Sequence, residues 1–313
     1  MGNLPVNDAP QKKPTRIACI GECMVELSNI SWDNAQAKLD VAGDTLNAAI
    51  YLARLLPKAG FEVSFLTRIG QDNISSQVLR RIEGEGIDTS YIGRDPDRNT
   101  GLYVINVDAC GERTFTYWRS QSAAREMFSK MTPTLSDLGS FDVVFLSAIT
   151  LAILPTNIRA ALIAACGSAR DLGRLVVFDS NYRPALWESA KVARQTIDKM
   201  WAHCSIALPS LDDERKLHSD LGPDDVLDRI AKFGVAEIVL KSASDGPLLW
   251  PRTAAVRYAM AKKVVDTTGA GDAFDAGYLA ARLVGKDMIT AAQRGHELAL
   301  KVISRPGAVI PSI

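Results

Sequence analysis

The chain has 313 residues, 47% hydrophobic and 23% charged, with 36 basic side chains balanced by 36 acidic ones. That composition suits a globular fold with a full core, as one large α/β domain or two smaller ones. No basic cluster of the kind a polyanion requires is present, so nucleic acid is excluded as the expected partner and a small ligand is expected.

Residues 1–14 are polar, with prolines at 5, 10 and 14, and no secretory signal opens the chain. They read as a disordered leader before one domain at 15–313. Cys19, Cys23, Cys110, Cys166 and Cys204 are odd in number and scattered, and His203, His218 and His296 lie far apart. Neither a disulfide framework nor a zinc site is indicated, Cys19 and Cys23 read as core residues, and a cytoplasmic setting is expected.

The first strand is the apolar run ending at Gly21-Glu22, and the alternating Met24–Leu27 turns away from the main sheet. A helix over 48–56 follows, with Thr45 as its N-cap. A strand at 62–69 and a helix at 72–83 come next. Gly101–Asp108 and Arg113–Arg119 alternate around a turn at 109–112, which predicts a β-hairpin. Alternation puts Tyr117 and Arg119 on one face and Thr116 and Trp118 on the other. The hairpin is either a solvated surface or part of a lid, with lid segments near 24–40 and 98–120.

The βα rhythm then returns. Strands are expected at 143–148, 175–179, 206–208 and 237–241, and helices at 155–171, 188–203 and in two pieces over 211–234. The longest uncharged run, 143–158, is interrupted by Pro155 and is too short to span a bilayer. Residues 247–250 and 256–260 read as a peripheral strand pair, 263–265 as a short strand, and 289–303 as the last helix. The pattern is a doubly wound α/β sandwich with a small β-sheet lid.

Ligands in such folds bind beyond the C-terminal ends of the strands. The polar residues there are Glu22, Asp179-Ser-Asn181-Tyr-Arg183, Lys241-Ser242 and Asp266–Asp272. In the last stretch Gly269-Ala270-Gly271 falls where a helix begins, and unpaired N–H groups and the helix dipole there make an anion site. Asp272 beside it either caps the helix or takes a hydroxyl proton while the N–H groups hold a migrating phosphoryl group. No G-x-x-x-x-G-K-[ST] occurs, and Phe274 stands where a dinucleotide fingerprint has its third glycine. Arg183 offers a planar fork for a carboxylate or phosphate, or belongs to a plain polar loop.

Asp266-Thr-Thr-Gly-Ala-Gly-Asp272 resembles the DTxGAGD signature of the ribokinase-like (PfkB) carbohydrate kinases. Within that family the chain is similar, over roughly 17–311, to the 2-keto-3-deoxygluconate kinases. The similarity runs through Ile20–Met24, Gly43–Asn47, Gly101–Tyr103, Gly111–Phe115, Tyr117–Arg119, Leu151–Leu154, Asn181–Pro184, Leu211–Glu214 and Arg294–His296. The resemblance implies a ribokinase-like fold and an enzyme using ATP and Mg²⁺ to phosphorylate 2-dehydro-3-deoxy-D-gluconate at its terminal hydroxyl. A fructokinase and a non-catalytic sugar-binding regulator are the alternatives.

By the same resemblance Asp272 is the base and Gly269, Ala270 and Gly271 form the anion hole. Gly43, Asp44, Asn47, Tyr103, Tyr117, Arg119 and Arg183 line the sugar-acid pocket. Lys241, Ser242 and Gly246 lie on the nucleotide side with Gly269 and Gly271. A homo-oligomer through the lid is also expected. The family's Gly-Gly pair is Ala42-Gly43 here. Its N-x-x-E motif is represented only by Ser210–Asp213 or Leu211–Glu214, so no metal ligand is assigned.

Overall fold

The structure is a computed structural model and describes residues 13–107, 113–219, 221–253 and 256–311. The expected leader (save 13 and 14), the 109–112 turn and Cys110 lie outside the described residues.

In chain order come β1 (Thr15–Ile20), β2 (Met24–Ser31), β3 (Gln36–Ala42), α1 (Asp44–Leu55), β4 (Phe61–Gly70), α2 (Asn73–Glu83), β5 (Ile92–Asp95), β6 (Gly101–Val107) and β7 (Arg113–Trp118). They are followed by β8 (Val143–Ser147), α3 (Ala148–Ile153), α4 (Thr156–Asp171), β9 (Leu175–Asp179), α5 (Ala190–Trp201), β10 (Ile206–Ala207), α6 (Leu211–His218) and α7 (Pro223–Ala231). The chain closes with β11 (Glu237–Leu240), β12 (Leu248–Trp250), α8 (Ala270–Leu283) and α9 (Met288–Ile303).

The main sheet has the order β12-β11-β10-β9-β8-β1-β4-β5, and all its neighbours are parallel except β11 and β12. Its strands are apolar on both faces because helices cover both. Ile17, Cys19, Val143, Phe145, Val177 and Val239 enter one core with residues of α1, α8 and α9. Ala18, Ile20, Val144, Leu146, Val176 and Phe178 alternate into a second core with residues of α4, α5 and α7. The result is the three-layer sandwich that the alternating βα pattern predicts.

A second sheet, β3-β2-β6-β7, stands apart from the first. Its register pairs Tyr103 with Tyr117 and Leu102 with Trp118. One face carries Met24, Ala42, Tyr103, Phe115 and Tyr117, and the other carries Val25, Leu27, Leu39, Leu102 and Trp118.

Three expectations are corrected, and three further elements appear that were not expected. Gly43, not Thr45, is the N-cap of α1, and Thr45 is buried one residue inside it. The 155–171 segment helix is preceded by a separate turn of helix, α3, capped by Ser147. Residues 256–260 form no strand; β12 pairs directly with β11. Residues 263–265 are irregular, with Val264 and Val265 exposed and the Val265 N–H donating to the Ile303 carbonyl at 2.7 Å rather than to a strand. Finally, β3 and β5 are strands that the sequence pattern did not reveal. β3 is polar over its first half and pairs only with β2, and β5 is a four-residue edge.

Candidate active site

A cavity of about 1510 Å³ opens along the C-terminal ends of the parallel strands, and one face of the small sheet lines it. Gly43, Asp44, Asn47, Tyr103, Tyr117, Arg119, Arg183, Lys241, Ser242, Gly246, Gly269, Ala270, Gly271 and Asp272 all border it. Residues more than two hundred positions apart in sequence are therefore brought to one place.

The centre is built from two helix starts. Gly269 caps α8 at φ 75°, a left-handed backbone, and a Cβ there would lie 2.7 Å from the Ala308 carbonyl oxygen. Only glycine meets both demands. The first turn of α8 follows, with N–H groups that have no intrahelical acceptor. A Cβ on Gly271 would find only Lys241 Nζ nearby, at 3.8 Å, so the backbone is open to a ligand. From the start of α1, Asn47 Nδ2 donates to Asp272 Oδ2 at 2.7 Å. Asn47 Oδ1 is buried and has no partner, which leaves an acceptor for a hydroxyl. Asp44 accepts from Ser147 Oγ at the end of β8 and from Asn181 Nδ2 at 2.8 Å beyond β9. Asp44 and Asn47 thus sit in a fixed hydrogen-bonded frame.

Beneath the turn, Lys241 Nζ lies 2.8 and 3.0 Å from the two carboxylate oxygens of Asp275 and 3.0 Å from Asp179 Oδ1. Burial alone would lower the ammonium's pKa, but the two aspartates outweigh it and hold the lysine charged. Burial pushes Asp275 well above the usual carboxylate range against the pull of Lys241. Burial, then the charge of Asp44, lifts Asp272 to about 7, with the Asn47 hydrogen bond opposing. A base near neutrality beside an array of N–H donors and a fixed ammonium can receive a hydroxyl proton while developing phosphoryl charge is stabilised. Asp272 is the third residue of α8, within the helix and not its cap.

The two arginines differ. Arg119 is mostly buried and ion-paired to Glu22, and its guanidinium stands 5.8 Å from the centre of the Tyr117 ring. Arg183 is half-exposed in the cavity, with its nearest carboxylate, Asp213, 3.6 Å away. Tyr103 presents its ring to the cavity but donates its hydroxyl to the buried Glu26.

The two readings of the metal motif separate. Asp213 borders the cavity, and burial raises its pKa while Arg183 opposes. Glu214 points into the fold and pairs with Arg229. No group of three or more His, Cys, Asp and Glu able to hold a metal exists among the described residues. That donor set fits an ion that brings water and phosphate ligands of its own, with Asp213 as the carboxylate on hand.

Sequence reasoning placed no role on Asp275, Ser147 or Arg113. Asp275 carried a signal, being a carboxylate in the otherwise apolar and small run Ala273–Ala281. Ser147 carried none, since its role depends on Asp44 arriving from α1.

The chain matches the pfkB family carbohydrate kinase profile over residues 14–313. It is 43% identical over 302 residues to the 2-dehydro-3-deoxygluconokinase of Dickeya dadantii, covering 94% of this chain and 96% of that one. It is 41% identical over 304 residues to the 2-dehydro-3-deoxygluconokinase of Escherichia coli K12, covering 95% and 97%. The fold matches the crystal structure of a PfkB protein from Polaromonas sp. JS666 with a TM-score of 0.81 at 26% identity, over 96% of this chain and 97% of that one. With a profile match that spans all but the first 13 residues, and relatives above 40% identity over nearly the full length, the chain belongs to the pfkB family of carbohydrate kinases.

Proposed function

We propose that this kinase phosphorylates 2-dehydro-3-deoxy-D-gluconate at its terminal hydroxyl, with ATP as donor, to give 2-dehydro-3-deoxy-6-phosphogluconate. The reading is supported by the relatives named for that reaction. The observation that carries it is Asp272, half-buried and held by Asn47 at the glycine turn that opens α8, in one cavity with the half-exposed Arg183. ATP is the phosphoryl donor; Asp213 would hold a Mg²⁺ ion, which would supply charge screening for the phosphates. Asn47 Nδ2 orients Asp272, which takes the proton of the acceptor hydroxyl, and Asn47 Oδ1 is left to accept from a neighbouring substrate hydroxyl. The N–H groups of α8 and the ammonium of Lys241 face the transferred group. Arg183 receives the substrate carboxylate in a bidentate fork, and Arg119, neutralised by Glu22, packs behind Tyr117.

An assay of ADP release across sugar acids and matching neutral ketoses tests this. Turnover of the acid well above fructose is expected. Equal or better use of fructose overturns the substrate and leaves a fructokinase.

The enzyme works in the cytoplasm as an oligomer formed through the outer face of the small sheet. Leu39 and Trp118 are exposed there, at 61% and 59%, while Val25 and Leu102 on the same face pack against the main core. The four described cysteines are buried free thiols, which suits a reducing compartment. No helix among the described residues is long and apolar enough to cross a membrane.

A further inference from the structure

Strand β7 crosses the roof of the cavity with an arginine at each end. Phe115, Tyr117 and Arg119 border the cavity, and Arg113, the next alternate residue, lies on the same side of the strand. Six steps of extended chain separate the two guanidinium-bearing positions by about 20 Å. Arg119 stands over the sugar-acid pocket. Arg113 reaches the other side, where its Nη1 pairs with Asp266 and donates to Thr268 Oγ1 at 3.2 Å. Both partners belong to the turn that opens onto the anion-binding start of α8, and Thr268 itself borders the cavity.

We propose that Arg113 is a phosphate-binding residue, brought by the small sheet to the phosphoryl groups at the α8 turn. The proposal rests on the kinase reading above. Asp266 does not depend on Arg113 for its satisfaction. Its Oδ1 also accepts from the Thr268 N–H at 2.9 Å and its Oδ2 from the Gly307 N–H at 2.7 Å. The guanidinium can therefore turn from Asp266 to a phosphate without leaving a buried carboxylate bare. It is also suited to that exchange: its side chain is 29% exposed, whereas that of Asp266 is 3% exposed. A guanidinium has five N–H donors in a fork that matches phosphate oxygens, and both contacts seen here use a single nitrogen. An anion arriving at the turn meets the Asp266 carboxylate close by, and Arg113 offsets that charge.

The test uses the full chain with Arg113→Gln, which can still hydrogen-bond Asp266 and Thr268 but carries no charge, and with Arg113→Lys. Calorimetry compares ADP with adenosine. The expected result is a loss of roughly tenfold or more in ADP affinity with Arg113→Gln, no change for adenosine, and partial recovery with Arg113→Lys. Steady-state rates should show kcat/KM for ATP down by about 10²-fold and KM for the sugar acid within about threefold of the parent. Parental ADP affinity in Arg113→Gln, or a loss confined to the sugar-acid KM, overturns the proposal and makes Arg113 a latch of the fold. A parent that turns over neither sugar acid nor ketose sinks the kinase reading instead, and the ADP-to-adenosine comparison still decides Arg113.

Discussion

Asp272 shows how one side chain acquires its chemistry from its neighbours. An exposed aspartate is fully ionised at neutral pH; here burial and Asp44 hold the proton on until about pH 7. Two predictions follow from that shift. Asp272→Asn should lower kcat by roughly 10²–10⁴-fold with little change in KM, and in the parent kcat/KM should fall as pH drops below about 7. A parent profile flat from pH 5 to 8 would remove Asp272 as the base. The second concerns stability. A carboxyl whose folded pKa is raised holds a proton in the folded state that the unfolded chain has already lost. Stability from this group is therefore present near pH 4 and lost as pH rises towards about 7. Thermal melts should show Asp272→Asn gaining on the parent between pH 4 and pH 8, and a constant difference across that range would contradict the burial argument. Arg183 belongs to the same scale. Hydrogen bonds to a charged group are worth about 1.5–3 kcal/mol, so Arg183→Ala should lose roughly 10- to 150-fold in kcat/KM for the acid. It should lose far less for a neutral ketose. An equal loss for both substrates would assign Arg183 to phosphate or to the fold.

At the scale of elements, the small sheet is the part placed to move. β7 is its edge strand and almost wholly exposed along its length, and its ties to the main fold described here are Arg113 to Asp266 and Arg119 to Glu22. Edge strands with solvated hydrogen bonds lie at the low-stability end of a fold. Amide exchange in 101–107 and 113–118 should slow when the sugar acid binds, because closure shields the strand and expels water that competes as acceptor. Unchanged exchange there at saturating ligand would mean that the sheet is a fixed wall. The α8 start is the opposite case. Its geometry is set by Gly269 against Ala308 and by Asp266 bridging Thr268 and Gly307, so the Thr268 and Gly307 amides should exchange slowly with or without ligand.

For the whole molecule, the exposed apolar residues on the outer face of the small sheet set the expected assembly. Trp118 and Leu39 stand exposed there while Val25 and Leu102 pack against the main core, and an exposed aromatic and aliphatic pair of this kind suits a subunit contact. Sedimentation of the parent should give an oligomer, and Leu39→Glu with Trp118→Glu should give a monomer that keeps its melting temperature. A parent that sediments as a monomer at micromolar concentration would leave that face free.

The local pattern was enough for the layered architecture and for the glycine turn at the start of α8. Strand runs apolar on both faces imply helices on both sides, and Gly-Ala-Gly before a small-residue helix implies an open helix start. The hairpin face of Tyr117 and Arg119 was legible for the same reason, since alternation is a local property. Partners were not legible. Nothing near Arg119 in sequence says that Glu22 neutralises it, nothing near Asp213 separates it from Glu214, and β3 has too few apolar residues to announce a strand. Those assignments depend on which elements the chain brings together across one hundred residues or more. The shift of Asp272 to neutrality is of that kind, because its burial and the charge of Asp44 exist only once α1 and α8 begin at the same point in space.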